Sequence, residues 1–133
     1  MSATPVTPPS RPRAVNVAFW CWLVGDVLTA AFGLLLITSP APAFIRAVGG
    51  LTVAVGVAHG FLTGRTRQGQ RRYAYAGVAL AMTTVAFLAV LLLFGASLVG
   101  ILIVAAIMIL MIAGSALIRG KTAQGWLDDE AAS

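Results

Sequence analysis

The run "YAYAGVALAMTTVAFLAVLLLFGASLVGILIVAAIMILMIAGSALI", residues 73–118, contains 46 residues without one ionisable Asp, Glu, Lys, Arg or His. As a single helix rising ~1.5 Å per residue it would be ~69 Å long, about twice the ~30 Å hydrocarbon core of a bilayer. It therefore has to fold back on itself. Gly95-Ala96-Ser97 is the predicted reversal, because Gly and Ser tolerate turn geometry and interrupt a Leu-rich pattern. The stretch thus predicts two crossing helices, 73–94 and 97–118. Two further apolar runs of crossing length, 15–37 and 44–63, lie N-terminal to it. The predicted fold class is all-α, an integral-membrane four-helix bundle made of two helical hairpins.

Composition agrees with that solvent. Hydrophobic residues make up 59% of the 133 and charged residues 10%, against roughly 45–50% and about 25% in ordinary globular domains. The net charge of +5 does not point to nucleic acid, because the basic residues lie between apolar runs rather than along one polar face. Their distribution is a topology signal instead. Arg11, Arg13, Arg65, Arg67, Arg71, Arg72, Arg119 and Lys121 fall on one side of the predicted bilayer and Arg46 alone on the other. By the positive-inside rule this predicts a multi-pass protein with both termini cytoplasmic, and the membrane is expected to be a bacterial plasma (inner) membrane. Residues 1–13, with four prolines, read as a disordered cytoplasmic leader, 14–119 as the transmembrane domain, and 120–133 as a cytoplasmic tail. In that tail Trp126 and Leu127 either rest at the membrane interface or belong to a frayed, solvated end. Ala41-Pro42-Ala43 fits a signal-peptide cleavage site, but the apolar run before it is 23 residues long and holds Asp26, beyond the roughly 7–15 residues of a signal core.

Small residues form stripes on three of the four spans. Gly56, Gly60 and Gly64 are spaced by four with Thr52 one turn earlier; Gly25, Thr29 and Gly33 form a row on the first span, and Gly77 and Ala81 a shorter one on the third. In lipid, helices gain little from hydrophobic attraction to each other, so such rows mark close backbone approach, within the bundle or to a partner. The fourth span is bulkier and is expected to be the most exposed to lipid.

Two ionisable residues, Asp26 and His59, sit inside the spans. At 100° per residue Asp26 lies about 20° from Gly33 and His59 about 20° from Thr52, so both face the packed seams. An intramembrane acid is a functional candidate by default, here for proton or cation coupling; its alternative is a buried acid that sets helix register. Counted from the ends of the apolar runs, Asp26 is ~16 Å deep and His59 ~6 Å, which predicts no direct pairing. Thr52, Thr83 and Thr84 match the depth of Asp26, and Thr52 with either Thr83 or Thr84 is expected to form a polar layer with it. His59 is expected near the headgroups, hydrated or donating to a lipid phosphate. Cys21, Trp20 and Trp22 read as packing and interfacial anchors. Arg65, Arg67, Arg71 and Arg72 are candidates for lipid-headgroup binding, since each basic residue near an anionic surface contributes ~1 kcal/mol.

No phosphate-cradling loop, paired carboxylates, nucleophile–base set or clustered metal ligands occur, so no catalytic residue, metal site or cofactor is expected and the chain is read as a non-enzyme. In size, span number and a midplane acid in the first span it resembles the small multidrug resistance transporters, in architecture alone. Members of that family typically carry Glu where Asp26 stands, aromatic motifs in the second and third spans, and a weak charge asymmetry that suits antiparallel dimers. The chain is more similar to uncharacterised small four-span membrane proteins of actinobacteria. That resemblance runs through the basic leader, "RAVNVAFWCWLVGDVL" (13–28), "FIRAVGGL" (44–51), "FLTGRTRQGQRRY" (61–73) and "AQGW" (123–126). It implies a fold and a membrane, and no activity. Three functions follow as expectations. The glycine stripes suggest an accessory or scaffolding subunit packed against another membrane protein or a lipid-handling complex. Asp26 suggests a small proton-coupled transporter or exporter, working as a homodimer, with Asp26 as the coupling carboxylate and Thr52 and Thr83 beside it. The 65–72 arginines suggest binding of anionic lipids.

Overall fold

The computed structural model describes residues 11–132; most of the predicted leader, residues 1–10, lies outside them. Five helices follow in order: α1 (Arg13–Thr38), α2 (Ala43–Arg67), α3 (Arg71–Leu93), α4 (Leu98–Arg119) and α5 (Lys121–Ala132). The first four are long and apolar enough to cross a membrane.

The breaks between them have local causes. Pro40 drives Ser39 out of helical geometry, and Ser39 ends α1 with ψ 150°. Gly69, at φ 84°, ends the turn after α2, where its N–H bonds to the Thr66 carbonyl at 3.0 Å. Gly95, at φ 91°, makes the reversal predicted at 95–97, and Ser97 then caps α4 by accepting a hydrogen bond from the N–H of Gly100 at 3.2 Å.

α1 is the hub. It packs most extensively against α2 and next against α4, while the α2–α3 and α3–α4 seams are looser. The α1–α2 contact is backbone against backbone: a Cβ on Gly33 would stand 2.7 Å from the Gly49 carbonyl oxygen, and one on Gly56 would stand 3.2 Å from the Asp26 carbonyl oxygen. Small residues on both helices are what allow this approach.

Two expectations are corrected. The fourth span is the most deeply packed of the four, not the most lipid-exposed. Its bulk complements the small faces opposite: a Cβ on Gly25 would stand 3.2 Å from the Met111 methyl, and Ile107, Met111 and Ile118 are buried. The tail is not frayed. It forms α5, whose Ala123, Trp126 and Leu127 are buried in the same apolar cluster as Val15, Ala74 and Ile118. Arg71 pairs with Asp128 at 2.8 Å, and Tyr75 donates to Gln124 at 3.2 Å, along its exposed side.

Candidate functional site

Asp26 of α1 and His59 of α2 meet directly. The Nδ1 of His59 stands 2.6 Å from Oδ1 of Asp26, with His59 fully buried and Asp26 5% exposed. This overturns the expected separation in depth and the expected hydrated histidine near the headgroups. The helices run past the ends of the apolar runs, so those ends are not at one level: α2 continues through Thr63 and Thr66 to Arg67. Measured from the link the two helices share, Asp26 lies 12 residues before Thr38 and His59 lies 16 after Ala43, one helical turn apart. A side chain spans that difference.

On its other edge His59 reaches α3, where Nε2 is 3.0 Å from the carbonyl oxygen of Gly77. A carbonyl oxygen can only accept, so Nε2 carries a proton. The contact at 2.6 Å needs a second proton, either on Asp26 and donated to Nδ1 or on Nδ1 and donated to the carboxylate. In both forms the pair has no net charge. That is the condition under which an acid and an imidazole can be buried together at tolerable cost. Removing one proton is incompatible with both contacts. A proton left on Nδ1 turns a lone pair of Nε2 towards the Gly77 oxygen; one left on Nε2 turns a lone pair of Nδ1 towards the carboxylate.

Thr63, one turn after His59 and on the same face, completes the group. Its hydroxyl lies 3.2 Å from Oδ2 of Asp26 and 2.9 Å from the His59 carbonyl oxygen, and donates to one of them at a time. Trp22 packs edge-on against the imidazole, with ring centroids 5.0 Å apart at 78°. Two glycines make room for the indole. A Cβ on Gly77 would stand 3.1 Å from it, and one on Gly114 would overlap it. The partners of the pair thus come from α1 (Trp22), α2 (Thr63) and α3 (the Gly77 carbonyl), and none of them titrates. Among the described residues neither α4 nor α5 places a charged side chain in hydrogen bond with the pair.

The predicted polar layer does not form. Thr52, Thr83 and Thr84 donate instead to the carbonyls of Val48, Ala79 and Leu80 in their own helices at 2.8, 2.9 and 2.8 Å, and Thr83 faces outward. A helical threonine has an acceptor one turn back, so matched depth is not enough to turn it towards an acid. The stripes are occupied within the chain: Gly25, Thr29, Gly33, Gly56, Gly77 and Ala81 are buried, and Gly60 lies beside the acid, a Cβ there standing 3.6 Å from Oδ2 of Asp26. Gly64 is different, with open space where its Cβ would be. Trp20 is exposed, Trp22 fully buried and Cys21 a free, half-buried thiol.

Three of the four arginines proposed for headgroups have partners in the chain. Arg65 lies over the rings of Phe61 and Tyr73, Arg67 lies 4.4 Å from the ring of Phe19, and Arg71 bonds Tyr75 and Asp128. Arg72 is exposed.

Thr63, Gly49, Gly114 and the buried role of Trp22 were missed from the sequence. Thr63 and Gly49 each carried a signal, at i+4 from His59 and i−7 from Gly56 on the same helical face. Trp22 and Gly114, on different helices, carried none.

Among the described residues no group of three His, Cys, Asp or Glu side chains could hold a metal ion. Comparison with known protein families, curated proteins and solved structures finds no match to the chain.

Proposed function

We propose that the chain is a multi-pass bacterial plasma-membrane protein with both termini cytoplasmic, working as a small proton-coupled transporter or exporter whose coupling group is the Asp26–His59 pair. One observation carries the reading: a buried imidazole that bonds an acid on α1 and a backbone carbonyl on α3 at once, an arrangement that needs two protons. Among the described residues, the bond to Gly77 is the hydrogen bond by which a side chain of α2 holds α3. Loss of one proton must break it or the bond to Asp26, and return of the proton restores both. Proton exchange thereby becomes a change in helix contact, which is what coupling requires. The pronounced charge asymmetry supports one fixed orientation in the membrane rather than antiparallel pairing.

The accessory-subunit reading keeps less support, because the stripes that motivated it are filled by Met111, Val53, Ala30 and Trp22 of the same chain.

The test uses spin labels at the lipid-facing positions Val57 on α2 and Met82 on α3, with the protein in bilayers. A second distance should appear as pH rises in the wild type. It should be absent in Asp26→Asn, whose amide can donate to Nδ1 at every pH and so keeps both contacts. A pH response in Asp26→Asn equal to that of the wild type, or none in either, overturns the reading.

A further inference from the structure

We infer that α5 is a lid over the proton pair: Asp26 and His59 exchange protons through the end of the bundle that α5 closes, and exchange waits on α5 lifting. This regulation rests on the proton-coupled reading of the pair given above, which also places that end in the cytoplasm. The packing that makes α5 a lid stands without it.

The pair lies nearer this end than the other. His59 is eight residues before the end of α2 at Arg67, and Gly77, which holds it, is six after the start of α3 at Arg71, or ~12 and ~9 Å. In the other direction each is 16 residues from the end of its helix, ~24 Å. A proton leaving past α5 has the shorter path. Thr63 and Thr66 stand along it, within about 40° of His59 around α2, and both are buried. Each hydroxyl donates to one acceptor, for Thr66 the Leu62 carbonyl at 2.9 Å, and keeps a lone pair for a water's proton. On α4, four residues before Arg119, the buried hydroxyl of Ser115 has no hydrogen-bond partner among the described residues. Water entering at this end therefore finds groups to bond.

α5 blocks that entry. Its Ala123, Trp126 and Leu127 pack with Val15, Ala74 and Ile118, which belong to the ends of α1, α3 and α4. Ala74 and Ile118 lie one turn, and Val15 two turns, outside Gly77, Gly114 and Trp22, the residues packed around the imidazole and its neighbouring indole. The apolar face of α5 is thus the outermost layer over the pair.

The attachment is suited to opening. α5 has 12 residues, too few to hold helical form without packing, and it joins α4 through Gly120, extended at ψ 154°. Apart from its apolar face, surface contacts hold it. Arg71 pairs with Asp128, both about half exposed, Tyr75 donates to Gln124, Arg11 lies 5.9 Å from the Trp126 ring, and Glu130 packs on the turn at Gly69. Segments held in this way open locally while the rest of a fold stays closed.

The experiment uses the full chain in bilayers transferred to heavy water at one fixed pH. His59 is the one histidine of the chain, so deuterium uptake at its ring carbon between the two nitrogens, read by mass spectrometry, reports solvent reaching the pair without ambiguity. Leu127→Ala, which loosens α5, should speed that uptake more than ~tenfold. Asp128→Lys, which turns the Arg71 pair into a repulsion, should speed it several-fold, while Asp129→Lys, the same charge change one residue on and outside the pair, should leave it as in the wild type. Amide protection within α1–α4 should stay unchanged in all three, which separates a lifted lid from an unfolded bundle. If Leu127→Ala frees the amides of 121–132 and His59 still exchanges at the wild-type rate, the lid is overturned; it is also overturned if the two lysine variants act alike. The uptake does not depend on the α2–α3 distance. Exchange controlled by α5 with no pH-dependent distance keeps the lid and removes the switch, and a pH-dependent distance with His59 indifferent to α5 does the reverse.

Discussion

Removing Asp26 and His59 singly and together should reveal strong coupling between them. In Asp26→Ala the imidazole stays buried with only the distant Thr63 hydroxyl, 3.5 Å away, facing Nδ1; in His59→Ala the acid stays buried, 5% exposed in the wild type, with the hydroxyl of Thr63 as its remaining partner. Breaking a buried pair from one side typically costs ~3–5 kcal/mol, because the group left behind has lost its compensation. The double variant removes both orphans and keeps mainly the loss of packing. Its cost should therefore fall short of the sum of the single costs by about 2–3 kcal/mol, at the upper end for contacting residues. A simple interhelical hydrogen bond in a membrane would couple by only ~0.6 kcal/mol on average and ~1.7 at most. The assay is unfolding by SDS in mixed micelles followed by tryptophan fluorescence, for which Trp22, 5.0 Å from the imidazole, is a built-in reporter. Costs that add within ~0.5 kcal/mol would show that the two groups act independently and would refute the shared-proton description.

Other substitutions test the packing that holds the pair in place. Gly33→Ala puts a methyl 2.7 Å from the Gly49 oxygen and 2.8 Å from the Val53 nitrogen, both backbone, and should cost ~1–3 kcal/mol in the same assay. Gly64→Ala, with nothing within 4 Å, should be neutral or stabilise by up to ~1 kcal/mol through helix propensity. Gly114→Val should expel the indole of Trp22 and shift its emission, since a Cβ at that position already overlaps the ring. At α5, Arg71→Ala should leave stability nearly unchanged in the same assay because both partners in its ion pair are about half exposed. Leu127→Ala, which empties a fully buried position, should cost ~2–5 kcal/mol and speed amide exchange over 121–132.

Much of the bundle was legible in the residues. The reversal at Gly95, the four long helices and the small-residue faces follow from local rules of run length, turn chemistry and 100° spacing. The same rules turned Asp26 and His59 towards the seam between α1 and α2. They failed at depth, because the ends of apolar runs were used as if they were level, while α2 carries Thr63, Thr66 and two arginines on into its last turns. They failed again at Thr83 and Thr84, whose hydroxyls had acceptors in their own helix.

The amino-acid sequence by itself determined the four long helices, the break between the third and fourth and the small-residue faces that the first three turn inward, since these depend on residues within a few turns of one another; it revealed neither α5 nor the packing of α4. The tertiary structure alone decided how far each helix slides along its neighbour. That sliding is set where Gly33 meets Gly49 and where Trp22 enters the space left by Gly77 and Gly114, contacts between residues distant in the chain. It brings the imidazole of His59 level with the acid on one side and the Gly77 carbonyl on the other. A side chain's direction around a helix is a local property, whereas its height against another helix depends on the packing of both.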